Sequence, residues 1–151
     1  MTAPDKSYEA AVASLVAYQD RLNEAARAGR AAYERAFESP PPGLGAHEID
    51  LDKTILRVNK GELRILGYRE ADVVGHVASD FVVMPDVSRR AMDKKLSGVQ
   101  QLKPFVRAFK RVDGSAMTML LLDRHILDVG GKVVGIRTVL TPLETASSDH
   151  A

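Results

Sequence analysis

The chain has 151 residues, enough for one domain with an ordinary hydrophobic core and one appended helix. Its 45% hydrophobic and 27% charged residues are those of a chain that folds, and a net charge of +1 gives no overall field for steering nucleic acid or an anionic membrane. The absence of cysteine excludes disulfides, thiolate nucleophiles and Cys-based zinc or iron–sulfur sites.

From about Pro4 to Phe37 apolar or small residues recur at steps of three and four, through Tyr8, Ala11, Leu15, Tyr18, Leu22, Ala25, Gly29, Ala32 and Ala36. This heptad seam predicts one long amphipathic helix over residues 1–38. Two arrangements satisfy it, pairing with a second copy or capping the chain's own sheet. Pairing is the expectation, with Tyr8, Leu15, Tyr18 and Leu22 at the homodimer interface. Gly29 falls on the seam and should weaken the second half, since glycine costs about 1 kcal/mol relative to alanine in a helix interior. Ala10 to Tyr18 follows Asp5 and Glu9, so it reads as a helix face and not as a signal-peptide core. No uninterrupted apolar stretch is long enough to span a bilayer, and a cytoplasmic location is expected.

Pro40, Pro41 and Pro42 lack the amide donor and stop the helix. Alternation over Ala46–Leu51 and Ile55–Asn59 predicts two strands joined at Asp52-Lys53. Asn59 is placed to cap a helix through Leu63 and Leu66 that Gly67 ends. Short helical pieces are expected at Glu70–Val73 and Val77–Phe81, and a longer helix at Asp86–Leu96. Three further strands, Leu102–Arg111, Ala116–Leu127 and Lys132–Leu143, are separated by Asp113-Gly114 and Gly130-Gly131, which predicts an antiparallel meander. The polar tail, residues 145–151, is expected to be disordered. Both faces of the strand at Ala116–Leu127 are apolar, so it should be covered on both sides.

The order Ser39-Pro40, Asp50-Leu51-Asp52, Val58-Asn59, Leu66-Gly67-Tyr68, Val74-Gly75 and Asp113-Gly114-Ser115 resembles that of PAS sensor domains. The resemblance runs from Ser39 to Leu143, about two-thirds of the chain, and departs from the family at Lys53-Thr54, where glycine is usual. It implies an α+β fold, a five-stranded antiparallel sheet with short helices on one face over residues 39–144, preceded here by the long helix. It also implies sensing and signal transduction without catalysis, in a transcription-regulatory or two-component pathway, with the output read by a partner protein in trans or by the rest of a longer regulator. Relatives hold ligands on the helix-facing side of the sheet. A small apolar ligand there would meet Phe81, Met84, Met92, Leu96, Phe105, Met119 and Leu121, methionine being suited to irregular partners. The alternative is a filled core and a purely structural dimerisation module.

Met84-Pro85-Asp86 followed by a helix resembles the haem-binding members, whose iron is held by a histidine on that helix. That position falls near Met92 in a helix with no histidine, so haem is not expected. Covalent flavin and cinnamoyl-type chromophores need a cysteine and are excluded, while noncovalent flavin stays open. His47, His76, His125 and His150 show no metal-site spacing and read as structural or surface residues. Arg89, Arg90, Lys94, Lys95, Lys103, Arg107, Lys110 and Arg111 read as a solvated face, and nucleic acid is not an expected partner. A third reading, a small enzyme on a cone-shaped α+β fold, would need Asp123, His125 or His76 in a polar pocket. The apolar inward faces argue against it.

Overall fold

A computed structural model describes residues 3–143. The element order is α1 (Ala3–Ala28), α2 (Arg30–Phe37), β1 (Gly45–Asp50), β2 (Ile55–Val58), α3 (Lys60–Leu66), two 3-10 turns (Glu70–Asp72 and Ala78–Phe81), α4 (Pro85–Leu96), β3 (Phe105–Lys110), β4 (Ala116–Leu127) and β5 (Val133–Pro142). The strands form one antiparallel sheet in the order β2-β1-β5-β4-β3. The tail at 145–151 and His150 lie outside the described residues.

The local punctuation acts as its chemistry requires. Asn59 caps α3 by accepting from the Glu62 amide, and Gly67 closes the helix in the left-handed conformation. In the β1–β2 turn Lys53 takes the left-handed place where glycine is usual, with φ 66°. The Asp50 carboxylate holds that turn by accepting from the amides of Asp52 and Thr54.

The N-terminal segment departs from the expected single helix. At Gly29 the backbone swings to φ 136° and the chain folds back as a helical hairpin, so that the Tyr18 hydroxyl reaches the Ala36 and Phe37 carbonyls at 2.9 and 3.1 Å. Phe37 and Tyr18 are both buried in one cluster, and their burial outweighs the interrupted helix. The hairpin lies on the sheet face formed by Ala46, Leu120, Leu122 and Val139, where Leu15 and Leu22 are fully enclosed. Of the residues expected between two copies, Leu15, Tyr18 and Leu22 are buried against the chain's own sheet face. Tyr8 stays exposed.

A polar layer pins this hairpin. Gln19, wholly buried, donates to the carbonyls of Leu122 at 2.8 Å and Arg137 at 3.1 Å, and accepts from the Arg137 guanidinium at 2.7 Å. Glu48 and Arg137, opposite each other in the β1–β5 ladder, face the same layer, where Tyr33 donates to Glu48 and Arg57 pairs with Glu34. Burial is the main reason the Tyr18 hydroxyl is pushed up to about 12.

The opposite face carries α3, the 3-10 turns and α4. Its apolar residues form two clusters, one around Met119, Leu121, Val82 and Phe109, the other around Ile49, Ile55, Val73 and Ile136. β4 is covered on both sides, as its composition predicts.

Candidate functional site

Between α3, α4 and the sheet lies a cavity of about 50 Å³. That volume suits a few waters or a very small organic molecule, far below the roughly 300 to 1,000 Å³ of sites for drug-sized ligands. Phe81, Met92, Phe105 and Leu121 line it, as the sequence suggests. The other three nominated residues do not. Met119 is fully buried in the cluster below the wall, Leu96 packs with the Ile49–Ile136 cluster, and Met84, at the start of α4, is 60% exposed.

The lining is not wholly apolar, which corrects the expectation of greasy inward faces. His47, Thr138 and Asp123 sit opposite one another in register across β1, β5 and β4, forming a polar row on the helix-facing side. Each has a partner. Thr138 donates to Asp123 at 2.6 Å, Lys95 of α4 meets Asp123 at 2.7 Å, and His47 Nδ1 meets Glu62 of α3 at 2.7 Å. Lys95 and Arg107 therefore leave the solvated basic face to which the sequence assigned them. His125 and His76 are not in the lining; His125 Nε2 lies 3.0 Å from the Lys95 carbonyl, and His76 abuts the Phe81 ring. Among the described residues no His, Cys, Asp and Glu group is arranged to hold a metal ion.

Backbone proximity fixes the His47–Glu62 pair. A Cβ on Gly61 would lie 2.1 Å from the Leu44 carbonyl, and one on Gly45 2.5 Å from the Glu62 backbone, so α3 packs against the start of β1 only because both are glycine. Asn59 completes the arrangement. Its side-chain oxygen accepts from the Ala46 and Glu62 amides, while its amide nitrogen donates to Phe37 at 2.9 Å and to the Tyr18 hydroxyl at 3.3 Å. One buried side chain thus joins the base of the cavity to both helices of the hairpin.

Burial lowers the affinity of His47 for a proton, but the neighbouring Glu62, with help from Asp123 and Glu48, outweighs it and holds the imidazole above its ordinary value. The folded protein then binds more protons than the unfolded one between the two values, so this contribution is complete below about pH 6.5 and is lost as pH rises through the folded-state value. Urea titrations of wild type and Glu62→Gln should therefore differ most at low pH and converge at alkaline pH. A gap that stays constant from pH 5 to 9 would contradict a charged pair.

Neither haem nor flavin fits this site. α4 offers no histidine, and the cavity is an order of magnitude too small for either ring system.

The architecture is that of PAS domains. Solved structures similar to this chain include the PAS domain of an HTR-like protein from Haloarcula marismortui, at 23% identity and a TM-score of 0.61, covering 82% of this chain and 96% of that one. A PAS domain from Colwellia psychrerythraea is 17% identical, with a TM-score of 0.63 and coverage of 72% and 92%. A third, from a LuxR-family transcriptional regulator of Burkholderia thailandensis in complex with ethanol, is 19% identical, with a TM-score of 0.58 and coverage of 75% and 98%. No protein-family model and no curated protein matches the sequence. Among the described residues no helix is long and apolar enough to cross a membrane.

Proposed function

We propose that this chain is a sensory module of the PAS type, in which a small molecule held beneath Phe81 and Phe105 biases how the α1–α2 hairpin packs on the sheet. The observation that carries the reading is the double attachment of the hairpin to the cavity wall. Asn59 connects Glu62 to Tyr18 and Phe37, and Gln19 binds the carbonyls of Leu122 and Arg137, each one residue from a member of the polar row, Asp123 and Thr138. A ligand that shifts Glu62, Asp123 or Thr138 must strain these bonds or move the hairpin. Such coupling is typically worth about 1 to 3 kcal/mol. The ethanol in the Burkholderia thailandensis structure is a ligand of the size this cavity could accept.

The output surface is the exposed side of α1, where Tyr8 faces solvent, read in the cytoplasm by a second copy or by a partner protein in trans. We take the role to be regulatory and non-enzymatic, in keeping with the PAS domains that share this fold. Native mass spectrometry of protein purified from its source reports cargo and stoichiometry together. A small bound molecule, lost in Leu121→Trp, is the expected result. No cargo, and no stabilisation by any compound of a ligand screen, would favour a ligand-free interaction module instead.

A further inference from the structure

We infer that the ligand is a short aliphatic monocarboxylate, its carboxylate taken by Arg107 and its tail lodged among the cavity's apolar side chains. The inference rests on the reading of the cavity as a ligand site and adds the chemical class of the ligand. Arg107 occupies an inward position of β3, opposite Met119, with Phe105 and Phe109 as its inward neighbours on the same strand. All three line the cavity.

The other charges of the lining cancel in pairs, Lys95 with Asp123 and His47 with Glu62. In each pair one basic side chain meets one carboxylate. Arg107 is the remaining charged group, and among the described residues it has neither an ion-pair partner nor a side-chain hydrogen bond. The cavity therefore carries one positive charge in excess. Burial destabilises that charge, and the carboxylate of Asp123, engaged with Lys95 and Thr138, offsets it only in part.

A guanidinium presents a planar fork of donors matched to a carboxylate, and this one lies 5.1 Å from the centre of the Phe105 ring, whose face fixes its direction. One unpaired cation selects a monoanion. A cavity of about 50 Å³ limits the tail to a few carbons, and Leu121, Phe81 and Leu66 give it apolar walls.

Calorimetric titration with butyrate, 1-butanol and butylamine separates the possibilities, since the three share a tail and differ in the head group. Wild type should bind butyrate at least tenfold more tightly than 1-butanol and should not bind butylamine. Arg107→Met should lose at least tenfold in butyrate affinity while its 1-butanol affinity is unchanged. Arg107→Lys, which keeps the charge without the fork, should fall between. If 1-butanol or butylamine binds as tightly as butyrate, or if Arg107→Met binds butyrate like wild type, the carboxylate assignment is overturned and the ligand site survives. If none of the three binds wild type, the ligand site itself fails, and this inference with it.

Discussion

Asn59→Ala should lower the stability of the chain by roughly 3 kcal/mol, a large effect for a single side chain outside the apolar core. The substitution removes a helix cap, leaves the buried Ala46 amide without its partner, and leaves the Phe37 carbonyl with the Tyr18 hydroxyl alone. The orphaned amide costs about 1 to 3 kcal/mol, and loss of the cap about 1 kcal/mol more, with a smaller loss from the donations to Phe37 and Tyr18. Urea unfolding measures the total. Asn59→Asp provides the informative comparison, because it keeps both accepting bonds but replaces the donations to Phe37 and Tyr18 with a buried carboxyl oxygen set against the Phe37 carbonyl. It should retain α3 while loosening the hairpin. A loss below about 1 kcal/mol in Asn59→Ala would mean that the side chain does not join the two layers.

Leu22→Ala is expected to cost about 2 to 5 kcal/mol, the range for deleting a fully buried leucine side chain that leaves a cavity. Leu15→Ala should behave alike. These leucines face Leu120, Leu122 and Val139 of their own chain, so the loss should appear as a lower unfolding midpoint that does not depend on protein concentration. A midpoint that rises steeply with concentration, together with halving of the mass in the variant, would restore these residues to an interface between copies.

The contrast between these positions and the cavity shows what a sequence of this kind exposes. Asn59, Gly67 and Asp113-Gly114 were legible because a cap or a tight turn is decided by a few adjacent residues. The strands, with β4 covered on both faces, followed from alternation and the turn residues between them, and the five-stranded sheet from the resemblance. The partner of the α1 seam was not legible. Leu15, Tyr18 and Leu22 repeat at the same spacing whether they meet a sheet or a second helix, and only the break at Gly29, which lets Phe37 return to Tyr18, decides for the sheet.

The polar row was hidden for a different reason. His47, Asp123 and Thr138 are far apart in sequence, and strand register alone sets them side by side. Two signals were nevertheless present. Asp123 breaks an inward series of Met117, Met119 and Leu121, and Arg107 breaks an inward pair of phenylalanines on β3. A charged residue in the apolar phase of a strand is costly to bury, so such an interruption marks a partner or a ligand. Met84 and Leu96 failed as lining residues because Met84 precedes α4 in a non-helical conformation and is turned out to solvent, while Leu96, at the helix end, packs with the neighbouring cluster.

Hydrogen exchange of the full chain with and without saturating butyrate tests the coupling of cavity to hairpin most directly. Altered protection should appear at α3 and β4 around the cavity and, beyond the sheet, at the amides of α1 near Tyr18 and Gln19 and of α2 near Phe37. The α1 and α2 changes should vanish in Asn59→Asp. Protection confined to the cavity, with both helices exchanging as in the ligand-free protein, would contradict the account.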